Sequence, residues 1–187
     1  MLIVTDVNGV LNNLMDVMLK EYNNKYNTNY SINSVTTYNL ENCFEPDVAK
    51  CMKNIFCTSE IWNKVKSVNG AQDALQKLIN EGHQVYLATD NDPNTYGAKV
   101  KWIKRFFPFV DASKIICIKD KWIIRADIMI EDNLQTLLAK PYYHRILMDH
   151  PWNQSDRDIV YDVYRCKNWS DILNVINKIV EMESDVK

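Results

Sequence analysis

Short unbroken apolar runs that end on acids or hydroxyls recur along this chain. Residues 2–6 (LIVTD), 83–90 (HQVYLATD) and 126–133 (ADIMIEDN) each read as a strand covered on both faces, as in the middle of a parallel sheet. Residues 143–150 and 158–165 are weaker runs of the same kind. The intervening segments carry helical periodicity. Ala71, Leu75, Leu78 and Ile79 form one stripe that stops before Gly82, and Val100, Ile103 and Phe107 form a second. Ile172, Ile176, Ile179 and Val180 form a third, with Ser170 as its expected cap. From residue 70 onward strand and helix alternate, which predicts an α/β fold with a parallel sheet and helices on both faces.

Residues 13–69 break the alternation. Leu14, Met18 and Tyr22 have helical spacing, an Asn- and Thr-rich stretch follows, and a second helix is predicted around 47–56. The pattern predicts a core built from residues 1–12 and 70–187, with 13–69 inserted after the first strand as a small helical cap.

Charge narrows the partners. With 22 basic and 24 acidic residues the formal net charge is -2, so no overall field favours nucleic acid or an anionic membrane. The oligomeric state stays open, a homodimer included. Cys43, Cys51, Cys57, Cys117 and Cys166 lack CxxC spacing and read as free thiols of a reducing, cytoplasmic setting. Cys117, in the apolar run KIICI, reads as core.

The strand ends carry the candidate chemistry. In an open parallel sheet all strand C-termini lie along one edge, where ligands bind. Asp6 with Asn8, Thr89 with Asp90, and Glu131 with Asp132 would therefore converge. A hard cation such as magnesium takes one or two carboxylates plus a phosphate oxygen, and Asp6 and Asp132 could be that pair.

Motif order then becomes informative. Asp6-Val7-Asn8-Gly9-Val10-Leu11 resembles the D-x-D-G-V-L motif of the 5'(3')-deoxyribonucleotidase family of the haloacid dehalogenase (HAD) superfamily. Thr89 closing VYLAT, Lys99 in AKVKWIKRFFP, DIMIEDN, the late segment ILMDHPWN and NGAQDALQKL resemble its later segments, in order. The resemblance implies a HAD-like Rossmannoid sheet with a small cap, and a magnesium-dependent phosphomonoesterase. Its substrate would be a deoxyribonucleoside 5'-monophosphate, preferably of a pyrimidine. Asp6 would be the nucleophile that forms an aspartyl-phosphate. Asp6, the Asn8 carbonyl and Asp132 would hold Mg2+, with Glu131, in place of the usual Asp, acting from outside. Thr89 and Lys99 would hold the phosphoryl oxygens, and Gly9 would let backbone N–H groups approach them.

Asn8 departs from the motif. The family has an aspartic acid here that exchanges a proton with the leaving oxygen, which a carboxamide cannot do. Three readings follow: a deliberate Asp-to-Asn exchange, a slow enzyme, or a protein that binds nucleotides without turning them over. A HAD phosphatase for another small metabolite is a further alternative. Tyr38, Phe44 and Trp62 in the inserted segment are candidates for the nucleobase platform the family builds there, and Phe56 reads as cap core. Asp90 stands beside the phosphate site and could meet a sugar hydroxyl or a base edge. His83, His144 and His150 lack metal-ligand spacing and read as structural.

Overall fold

The computed structural model describes residues 1–90, 92–139, 143–154 and 162–185. Its strands are β1 (Leu2–Thr5), β2 (Gln84–Thr89), β3 (Ile115–Cys117), β4 (Ile128–Glu131), β5 (His144–Met148) and β6 (Tyr164–Cys166). They form one parallel sheet in the order β3-β2-β1-β4-β5-β6. The helices are α1 (Leu14–Tyr26), α2 (Pro46–Phe56), α3 (Ala71–Asn80), α4 (Tyr96–Phe106), α5 (Leu134–Leu138) and α6 (Trp169–Ser184).

Alternation along the strands sends neighbouring residues to opposite faces. Ile3, Leu87, Ile128, Ile130 and Ile146 join the larger apolar cluster, with Leu75 and Leu78 of α3, Ile103 of α4 and Ile172 and Ile176 of α6. Val4, Ala88, Met129 and Leu147 join a smaller one closed by Leu134, Leu137 and Tyr143. Residues 13–69 contain α1, α2 and short 3-10 turns. Their buried residues Leu14, Met18, Val35 and Met52 belong to the same large cluster as the sheet face. The inserted segment is therefore seated on the core by shared burial.

Several boundaries differ from expectation. Strand β3 and the short helix α5 escape the periodicity because three apolar residues and five residues are too short to show a period. Cys117 is exposed, not core: it ends β3, which is the sheet's edge strand. The last helix is capped by Asn168, whose side chain accepts from Asp171 N, and Ser170 lies inside it. The run predicted at 158–165 is strand only at Tyr164–Cys166, and its residues 158–161 lie outside the described residues. Among the described residues no helix is long and apolar enough to cross a membrane.

Trp169 ties the last helix to the loop after β1. It is fully buried, and its indole Nε1–H donates to the Val10 carbonyl at 2.9 Å. Trp169→Phe strands that buried carbonyl and should cost ~1–3 kcal/mol of unfolding free energy, read from urea melts.

Candidate active site

Strand β1 lies between β2 and β4, where the strand order reverses direction, so a crevice opens beyond its C-terminal end. Asp6 follows β1, Thr89 ends β2, and Glu131 ends β4 with Asp132 after it. Asp6, Glu131 and Asp132 each bring a carboxylate oxygen into a group whose members all lie within 4.8 Å of one another, and all three are buried. The close approach needs Gly9. It sits at φ +72°, and a Cβ there would stand 2.3 Å from Asp132 Oδ2.

A cation enters this group from an unexpected place. Lys121, in the turn after β3, is buried, and its Nζ donates to Asp6 Oδ1 at 2.5 Å and to Glu131 Oε1 at 2.7 Å. Burial alone would lower its pKa, but the Asp6 and Glu131 charges more than offset that and hold the ammonium protonated. Burial, then the charge of Asp6, pushes Glu131 up to about 7. Asp132 is also raised, by burial and then by Asp6 and Glu131. Its Oδ1 is buried with no hydrogen-bond partner among the described residues. Three carboxylates against one contacting ammonium leave two formal negative charges when all are ionised. A buried group with that deficit and an idle carboxylate oxygen suits a divalent cation with oxygen ligands.

Lys99 approaches from α4. It is 1% exposed, and its Nζ donates to Thr89 Oγ1 at 2.9 Å and to the Asp90 carbonyl at 2.6 Å. Burial lowers its pKa to about 8, the Asp6 charge opposing that shift. Lys99 therefore stands at the strand end and not on a solvated helix face. Asn8 is oriented by buried Asn12, whose Nδ2 donates to Asn8 Oδ1 at 3.2 Å while its Oδ1 accepts from Gly9 N at 3.3 Å. Behind the acids, Asn153 Nδ2 donates to the carbonyls of Asp132 (2.9 Å) and Met148 (2.8 Å), and Arg165 holds Asn153 in turn. The His150 ring nitrogen Nε2 donates to the Gly9 carbonyl at 2.6 Å, and the ring stacks on Trp152.

A cavity of about 450 Å³ lies above this floor. Asn8, Gly9, Asp90 and Asp132 line its base, and Met18, Tyr38, Lys53 and Phe56 of the inserted segment line its roof. Tyr38 remains 57% exposed, yet the environment of its hydroxyl raises its pKa, first by burial and then by the charges of Asp132 and Asp6. Lys53 pairs with Glu41 at 2.5 Å at the rim.

Two expected platform residues lie elsewhere. Phe44 packs edge-on against Tyr30 at 5.0 Å, inside the inserted segment. Trp62 is buried between Trp102, at 6.0 Å, and Lys99, whose Nζ is 5.3 Å from its ring centre. Neither lines this cavity. Phe56, read as core, does line it. Lys121 and Lys53 were not anticipated. Recognition of β3 would have placed Lys121 near the same sheet edge, whereas nothing local marks Lys53.

The family described as "5' nucleotidase, deoxy (Pyrimidine), cytosolic type C protein" matches residues 1–182. A 5'(3')-deoxyribonucleotidase of Bacillus subtilis (strain 168) is 30% identical over 115 residues, 60% of this chain and 63% of that protein. This chain thus spans less than two thirds of that relative's length in the match. A 5'(3')-deoxyribonucleotidase of Clostridium acetobutylicum is 26% identical over 164 residues, 88% of each chain. A HAD family hydrolase of Deinococcus radiodurans R1, solved with bound phosphate and sodium, superposes with a TM-score of 0.56 at 13% identity. That superposition covers 91% of this chain and 92% of the other, and shows the shared fold.

Gly9→Ala drives a methyl group into the Asp132 carboxylate at a left-handed backbone position. It should destabilise the protein by ~2–4 kcal/mol, measurable in denaturant melts.

Proposed function

The chain belongs to the cytosolic type C deoxy (pyrimidine) 5'-nucleotidase family, and on that premise we propose that it is a phosphomonoesterase of pyrimidine deoxyribonucleoside 5'-monophosphates. The observation that carries the reading is the buried trio Asp6, Glu131 and Asp132, crossed by Lys121 and roofed by a nucleotide-sized cavity. The charge the trio would carry when ionised and the idle Asp132 Oδ1 fit magnesium, which Asp6 and Asp132, with the Asn8 carbonyl that the family resemblance implies, would hold, Glu131 acting from outside. When bound, magnesium supplies positive charge that offsets repulsion between phosphate and carboxylate.

The chain's own groups divide the remaining work. Asp6 attacks phosphorus, forming an aspartyl-phosphate and releasing the nucleoside oxygen. Lys121 holds Asp6 aimed through its 2.5 Å contact, and its bond to Glu131 restrains that carboxylate. Thr89 and Lys99 bind the phosphoryl oxygens, Lys99 as a point charge beside the strand end. Phe56 and Met18 pack against the base, and Tyr38 with Lys53 meets the sugar or base edge. Asn8 cannot protonate the leaving oxygen, so water must do so and turnover is slow. Asn12 Nδ2, which donates to the Asn8 carboxamide oxygen, can donate equally well to a carboxylate at that position, so restoring the acid is compatible with the fold.

Asn8→Asp should raise phosphate release from dUMP or dTMP with magnesium by ~10²–10⁴-fold in a phosphate assay. No gain on any nucleotide, with activity on other phosphate esters, would move the substrate class. Tight magnesium-linked nucleotide binding with no turnover in either form would favour a sequestering role instead.

Lys99 also predicts a pH dependence. Its free-enzyme pKa near 8 means the phosphate-binding charge is present below that pH and lost above it. In the Asn8→Asp background kcat/KM should fall as pH rises through about 8. That inflection should vanish in Lys99→Gln, as read from a profile between about pH 6.5 and 9.5.

A further inference from the structure

A second cavity, about 420 Å³, lies between the 3-10 turn Ser59–Asn63 and α4, and shares no lining residue with the active-site cavity. Its walls differ in kind from the first. Lys101 and Arg105 stand one helical turn apart on α4, both exposed, and neither forms an ion pair among the described residues. Asn63 and Asn94 add carboxamides, and Trp62 and Trp102 form its apolar floor. The Trp62 indole N–H is buried and has no acceptor among the described residues. Ser59 Oγ donates to the Asn94 carbonyl at 3.1 Å, which closes one end. Gly97 keeps the cavity open, since a Cβ built there meets nothing within 4 Å.

We propose that this groove is a second ligand site, for a small phosphorylated molecule of mononucleotide size. The Arg105 fork and the Lys101 ammonium suit a phosphate group, where Arg binds bidentately and Lys adds charge. Glu60, the single acid of the lining, repels an anion and so sets the opposite end of the ligand as a hydroxyl or amino donor. The carboxamides of Asn63 and Asn94 match the mixed donors and acceptors of a base or sugar. An occupant would lie one side chain from the phosphate-binding lysine, because Trp62 lines the groove and Lys99 Nζ stands over its ring.

The five tryptophans make the test local, because Trp62 and Trp102 line the groove whereas Trp152 lines the active-site cavity. Protein labelled with ¹⁵N-tryptophan is titrated with dUMP, deoxyuridine or inorganic phosphate, without divalent cation, and the indole resonances are followed. The proposal expects dUMP to move Trp62 and Trp102 in a saturable event distinct from that at Trp152, and deoxyuridine to leave them unmoved. Gly97→Leu, which fills open space on a helix, and Lys101→Gln with Arg105→Gln should each weaken the groove event roughly tenfold or more. The Trp152 event should survive those changes. Groove resonances that stay still, that follow Trp152 in parent and variants alike, or that respond equally to deoxyuridine overturn the proposal. A Trp152 that stays silent even when the titration is repeated with magnesium, beside an active groove, would instead count against the nucleotidase reading and leave this one standing.

Discussion

The Lys121 ammonium, shared by Asp6 and Glu131, is the interaction on which the rest of the site depends. Carboxylates gathered in a buried crevice repel one another, and burial with the neighbouring acids holds Glu131 and Asp132 above the usual carboxylate range. One buried cation makes the gathering tolerable without filling it. Asp132 Oδ1 is left idle, and full ionisation of the three acids would leave two formal charges uncompensated, so a bound cation favours their charged forms. Local electrostatic stability is held back at the place where a cation and a phosphate would meet.

The scaffold explains how such a cluster survives. Its acids hang from β1 and β4, adjacent central strands whose residues are buried on both faces. Asn153 fastens the backbone after β4, His150 and Asn12 fasten the loop after β1, and Trp169 ties that loop to the last helix. The Asn153 and Trp169 contacts are buried and those of His150 and Asn12 partly buried, so the loops are located by hydrogen bonds as well as by packing. The inserted helices then share the apolar cluster of one sheet face, which brings Tyr38, Lys53 and Phe56 over the crevice.

Helix α4 couples the two cavities. Lys99 reaches the strand ends from one side of it, while Gly97, Lys101 and Arg105 border the groove on another. Trp62 has a surface in the groove and Lys99 over its ring.

Much of this was legible from order and period alone. The short apolar runs ending on Asp6, Thr89 and Glu131 announce parallel strands, and a parallel sheet places their ends on one edge. Such features are local: a covered strand needs apolar residues in sequence, and a left-handed turn needs Gly9. What could not be read were contacts between residues far apart along the chain. Lys121 meets Asp6 across 115 positions, and its own strand was too short to reveal a period. Trp62 and Phe56 are both aromatic residues of one segment, yet one packs into a wall and the other faces the cavity. Composition and spacing determined which groups were on hand and which strands carried them. Three-dimensional packing alone decided which aromatic face stayed free and which lysine reached the acids, because both depend on what surface neighbouring elements leave uncovered.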